Sequence, residues 1–134
     1  ETAFSEMTSQ VTLTHTAWQS VSTAINFTPT SSSSKLTIMY GTTTYQNAGV
    51  GCAFRLNIAG SVHGTNQWSI ANPISTYSGS GTAYHSPFFI TQYNNTSTSA
   101  KNIVVEGIRL DSSTNAYANY NSRVAQMYIM ETGG

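Results

Sequence analysis

Residues 34–59 read SKLTIMYGTTTYQNAGVGCAFRLNIA, and their spacing decides the fold. Val50, Cys52, Phe54, Leu56 and Ile58 share one parity, while Gly51, Ala53, Arg55 and Asn57 share the other. Side chains of a strand alternate between its two faces, so this run is a strand with one face buried. Leu36, Ile38 and Tyr40 repeat the pattern against Thr37 and Met39. The polar segment Thr42–Ala48 between the runs reads as a hairpin loop, which predicts that the two runs pair antiparallel.

The same alternation recurs on either side. Val11–Thr16 reads as a first strand, after a polar arm, Glu1–Gln10, that leads into the domain. Val21, Ile25 and Phe27 carry an apolar parity up to Pro29, which has no ladder donor and ends the strand. Thr30–Ser34 is a short polar connection. Downstream, Pro87–Tyr93, Asn102–Leu110 and Val124–Glu131 read as strands and Tyr117–Asn121 as a short one, with Gly107 a bulge or close-packing position. Residues 61–83, broken by Gly64, Pro73, Gly79 and Gly81, read as one short strand around Trp68–Ile70 plus long loops, which often carry function on a β scaffold. No stretch sustains helical periodicity. About 7–9 short strands punctuated by Ser, Gly and Pro predict one all-β domain over residues 1–134, an antiparallel β-sandwich.

Composition narrows the function. The 134 residues can bury roughly two-thirds of their unfolded surface, so a core needs no staples. Only 7% of residues are charged, against about 25% in ordinary soluble proteins. Net charge is zero and the five Lys and Arg are scattered, so there is no electrostatic footprint for nucleic acid. No apolar run approaches the ~20 residues of a membrane-spanning helix. A neutral, hydroxyl-rich surface has little repulsion to keep copies apart, which predicts a fixed assembly. Cys52 is the single cysteine and sits on an apolar parity, as a small buried hydrophobe rather than a reactive thiol. Opening on Glu1, without Met or a secretory signal, the chain reads as a fragment or a processed product.

Catalytic constellations are missing. The acids are Glu1, Glu6, Glu106, Asp111 and Glu131, and Glu106 with Arg109 reads as a structural or interface ion pair rather than a glycosidase couple. His15, His63 and His85 have no ligand spacing, there is no nucleophile elbow, and Gly79-Ser80-Gly81 lacks the lysine and helix of a phosphate cradle. No enzyme, metal or cofactor is expected. What remains is recognition through aromatics. Tyr45, Trp68, Tyr77, Tyr84, Tyr117 and Tyr120 lie in or beside predicted loops among Asn, Ser, Thr and Gln. Tyr and Trp offer rigid apolar area with a polar handle, which suits neutral ligands such as sugars. The competing reading is that most of these rings pack the sandwich edges or a subunit interface.

Three stretches in order carry a resemblance: Ile25-Asn26-Phe27-Thr28-Pro29-Thr30-Ser31-Ser32-Ser33-Ser34-Lys35-Leu36-Thr37-Ile38, then Phe54-Arg55-Leu56, then Gln126-Met127-Tyr128-Ile129-Met130-Glu131. This order resembles the small β-sandwich domains of tailed-bacteriophage virion proteins, found in tail fibres and related surface appendages. The resemblance implies a jelly-roll-like sandwich, a homotrimer among other virion proteins, location on the virion surface, and a structural or attachment role without enzyme activity or cofactor. It makes the 34–59 hairpin a central strand pair, with Arg55 and Asn57 as the positions that meet a neighbouring subunit.

The leading expectation is a tail-fibre head domain that attaches to host-surface glycan. The alternatives are a capsid-decorating or other purely structural virion protein, a non-viral lectin-like binding module, and a small lytic enzyme, which would need a convergent acid pair.

Overall fold

The computed structural model describes residues 1–63, 74–112 and 115–133. Among them the chain forms β1 (Thr2–Met7), β2 (Val11–Thr12), β3 (Gln19–Ser20), β4 (Ile25–Phe27), β5 (Lys35–Gly41), β6 (Thr44–Gln46), β7 (Gly51–Ile58), β8 (Ser61–His63), β9 (Ile74–Tyr77), β10 (Ala83–His85), β11 (Phe88–Asn94), β12 (Lys101–Arg109), β13 (Ala116–Ala118) and β14 (Ala125–Thr132), plus a 3-10 turn at Tyr120–Ser122. The all-β expectation holds.

Two antiparallel sheets make the sandwich. One has the order β1-β14-β5-β11. In the other, β12 pairs with β7 at the centre; β4 and β3 share the outer edge of β12, and β8 and β9 share the outer edge of β7. Treating each shared edge as one position leaves eight strand positions. In chain order the sheets then run first–eighth–third–sixth and second–seventh–fourth–fifth. That is the strand order of a jelly roll, two Greek keys folded face to face.

The expected hairpin is not a hairpin. β5 pairs with β14 and β11, whereas β7 pairs with β12, β8 and β9. The two strands face each other across the core, where the Tyr40 and Phe54 rings lie 6.3 Å apart. Alternation reports which face of a strand is buried and is silent on its hydrogen-bonded neighbour. The supposed loop Thr42–Ala48 contains β6, which enters a third, small sheet. A second correction concerns residues 1–10. They are no mere arm, because β1 pairs with β14 along six positions from Thr2↔Met130 to Met7↔Ala125. Its inward residues are Ala3, Ser5 and Met7, too small a contrast to mark a strand in the sequence. The strand expected around Trp68–Ile70 lies outside the described residues.

The core joins Leu36, Ile38 and Tyr40 of β5 and Met127 and Ile129 of β14 to Cys52, Phe54, Leu56 and Ile58 of β7 and Ile103 and Val105 of β12. Gly107 of β12 is a close-packing position. A Cβ there would meet Val21 Cγ1 at 3.1 Å, with Leu13 Cδ2 and Phe54 Cε1 each at 3.2 Å. The Cys52 thiol is fully buried, and burial pushes its pKa up to about 12, with Arg109 drawing it partly back.

The third sheet, β10-β6-β13-β2, positions the candidate site. Each of its strands is part of a connection between the two main sheets. Because β1 and β5 run one way and β14 and β11 the other, β2 and β6 follow strands that end where β10 and β13 lead into strands that begin. All four connections therefore meet at one pole of the jelly roll. The opposite pole holds the Thr30–Ser34 connection and the turn before β12.

Candidate functional site

Four of the six aromatic residues singled out in the sequence converge on this pole sheet. Tyr84 of β10, Tyr45 of β6 and Tyr117 of β13 are direct cross-strand partners, forming one row over three strands. Strand geometry sends residues in register to the same face, so the row presents three phenols together. Tyr120, from the 3-10 turn after β13, closes the group. It stacks on Tyr45 with ring centroids 4.7 Å apart and planes 19° apart. Tyr84 meets Tyr45 edge-on at 5.2 Å, and Tyr117 lies 5.9 Å from Tyr120 and 6.0 Å from Tyr45. These are the offset and edge-to-face arrangements that ring quadrupoles favour. Tyr84 is the most open of the four, 65% exposed. The Tyr120 pKa is raised, first by desolvation and then by the neighbouring phenols Tyr84 and Tyr45.

Beside the rings lies an open groove of about 450 Å³, lined by Tyr45, Tyr117 and Tyr120 together with the amides of Gln10, Asn47, Asn115 and Asn121. Among the described residues, no charged side chain lines it. Two hydrogen bonds hold its rim: the Asn47 backbone N–H donates to the Asn115 carbonyl at 3.1 Å, and the Asn121 backbone N–H donates to the Gln10 side-chain Oε1 at 3.0 Å.

Two buried polar side chains hold the row from beneath. Gln46 is fully buried next to Tyr45; its Nε2 donates to the Val50 carbonyl at 2.9 Å and the Thr76 carbonyl at 3.2 Å, and its Oε1 accepts from Thr76 Oγ1 at 2.8 Å. Asn119 is also fully buried and has φ 53, a left-handed conformation that Asn tolerates better than most residues. Its Oδ1 accepts from Thr42 Oγ1, and its Nδ2 donates to the Ser9 and Val21 carbonyls at 3.1 and 3.3 Å. The left-handed turn aims Tyr120 back over Tyr45. Sequence reading missed these two residues and the four groove amides. The one signal for them was the density of Asn and Gln around Tyr45, Tyr117 and Tyr120.

Of the other expected site residues, those described are not part of this ring cluster. Tyr77 is 66% exposed on β9, opposite Gly51, and makes no ring contact with the four. Trp68 lies outside the described residues. Arg55 and Asn57 point from β7 onto the outer face of the second main sheet and are engaged within the chain. Arg55 Nε donates to Glu106 Oε1 at 3.0 Å and its guanidinium covers the Trp18 ring at 4.2 Å, while Asn57 Nδ2 donates to the same oxygen at 3.2 Å. The ion-pair partner of Glu106 is thus Arg55 and not Arg109, because antiparallel register sets Arg55 directly opposite. Among the described residues, no three His, Cys, Asp or Glu side chains come together in a way that could hold a metal ion.

No protein-family model and no curated protein matches the chain. Among solved structures, the chain is similar to the CBM36-1 domain of a multidomain xylanase from the hindgut metagenome of Trinervitermes trinervoides, with 12% identity and a TM-score of 0.44 over the full length of both chains. A likeness of this degree carries no information about ligands.

Proposed function

We propose that this chain is a glycan-recognition module that binds neutral sugars at the tyrosine pole. The observation that supports it is the convergence of Tyr45, Tyr84, Tyr117 and Tyr120 beside an uncharged, amide-lined groove. A sugar ring has an apolar C–H face and a rim of hydroxyls. Tyrosine rings offer flat apolar area for the first. Asn and Gln carry both a donor and an acceptor and so can pair with hydroxyls of either sense. A groove without charge gives no preference to acidic sugars. Rigid rings held in register lose little conformational freedom on binding, which favours a preformed site.

For the setting, the resemblance of the segment order to phage virion domains supports a reading as a tail-fibre head domain that would bring the glycan of a host surface to a particle. The groove would serve a non-viral lectin-like module equally well, and either way the activity is binding without catalysis. Screening against an array of neutral and acidic glycans, followed by calorimetry on the hits, tests the reading. The expected result is binding of neutral glycans, weakened roughly tenfold or more by Tyr45→Ala and unchanged by Tyr77→Ala. Absence of glycan binding, or binding indifferent to Tyr45→Ala, overturns it.

A further inference from the structure

The outer face of the β1-β14-β5-β11 sheet carries an apolar band across its middle, where a solvated face should be polar. Phe4, Tyr128, Met39 and Ile90 are register partners in one row that crosses all four strands. Phe88 lies on the neighbouring row opposite Gly41, where a Cβ would come within 3.4 Å of its ring. Val124 completes the patch, and a groove of about 470 Å³ runs between Phe4, Gly41, Phe88, Val124 and Tyr128. Phe4, Phe88 and Ile90 are each more than half exposed. None of these residues belongs to the tyrosine pole.

We infer that this face is a contact surface for a second copy of the same chain, in a two-fold, face-to-face pair. Two observations commit the face to a copy of itself. The first is area. Phe4, Phe88, Ile90 and Val124 leave on the order of 400 Å² of apolar surface in water, close to the apolar share of the ~800 Å² that each partner brings to a standard interface. The second is charge. The face is apolar across its middle, with Glu6 exposed at the Gly41 end of the sheet and Lys35 exposed at the other end. A two-fold axis in the plane of contact, perpendicular to the strands, reverses the strand direction. It lays the Glu6 end of one copy over the Lys35 end of the other and sets Ile90 close to its own symmetry mate. An isologous contact of this kind needs one self-complementary patch and closes without further growth. The pair leaves the poles free, and it uses a different surface from the Arg55 and Asn57 face.

Sedimentation of the full chain at about 10 µM, well above the dissociation constant of a submicromolar complex, tests this. The expected mass is twice 14.4 kDa for the native chain. Ile90→Lys and Ile90→Glu, both on an exposed edge strand that tolerates charge, should each return the single-chain mass with an unchanged thermal midpoint of the fold at low concentration. An equimolar mixture of the two should regain the doubled mass. A native monomer, whose apolar face would then belong to another protein, overturns the inference. So does a native trimer, a dimer that survives Ile90→Lys, or a mixture that stays monomeric. Glycan binding is read separately, so a failure here leaves the tyrosine pole untouched and the reverse holds as well.

Discussion

Glu131 shows how much one side chain can settle. It sits near the end of β14, and its carboxylate accepts the Thr30 amide at 2.9 Å, the Thr30 hydroxyl at 3.0 Å and the Ser31 amide at 3.2 Å. The Ser34 hydroxyl first, then the Thr30 amide, hold its pKa down to about 2, while burial works the other way. Thr30–Ser34 and Met130-Glu131 are separate features of the sequence, yet in the fold they are two halves of one clamp. A carboxylate with a depressed pKa stabilises the fold fully above its unfolded value near 4.5, and that contribution is lost as pH falls towards 2. Glu131→Gln is therefore expected to lower the thermal midpoint at neutral pH and to flatten the loss of stability between about pH 4.5 and pH 2. Thermal melts of both proteins across that window check it, and an equally steep acid loss in the variant would count against the clamp. Cys52 was legible in the sequence as a buried hydrophobe, because parity alone placed it inside. Asn119 was not, since its role depends on carbonyls from Ser9 and Val21 that only the fold brings to it.

At the scale of elements, β12 carries a packing constraint that its composition hides. Gly in a strand interior ordinarily costs about 0.5–1 kcal/mol relative to Ala, so Gly107→Ala would be expected to help. Here a methyl would press on Val21, Leu13 and Phe54 at once, all fully buried and fixed from different directions. Overpacking costs typically about 1–3 kcal/mol and wins. The expected outcome is a lower urea midpoint with an unchanged m value. The long strands were readable because each buries one face. β6 was not, since a strand of three residues between turns gives too few alternations to stand out, and the short strand expected at Tyr117–Asn121 is Ala116–Ala118, because the chain turns at Asn119. The tyrosines were expected in or beside loops, whereas three of them form a row on a sheet.

The jelly-roll path gathers the four sheet-to-sheet connections that contain β2, β6, β10 and β13 at one pole, and there they pair with one another. Leu13, Ala116 and Ala118 tie that pole sheet into the same hydrophobic cluster as the two main sheets. A shared core predicts shared melting. Near-ultraviolet dichroism sums Tyr45, Tyr84, Tyr117 and Tyr120 at the pole with Tyr40, Trp18 and the other aromatic residues, so the pole's share is read as the difference between the native chain and Tyr120→Phe, and far-ultraviolet dichroism reports on the sandwich. At one protein concentration the two transitions should coincide, with calorimetric and van't Hoff enthalpies equal. A tyrosine transition several degrees below the backbone transition would separate the pole from the sandwich.

By itself the sequence determined the all-β class, the buried parity of the long strands, the interior place of Cys52 and the wealth of uncharged hydrogen-bonding groups around tyrosines. These follow from local periodicity and composition, which every short window of sequence carries. Only the tertiary structure decided that β5 and β7 oppose each other across the core instead of pairing, that residues 1–10 supply an edge strand, that Glu106 answers Arg55, and that four tyrosines far apart in the chain come into ring contact while Tyr77 does not join them. Strand pairing is a choice among partners with the same alternation. It is made by the global fit of two sheets around one core, a property that no window of the sequence contains.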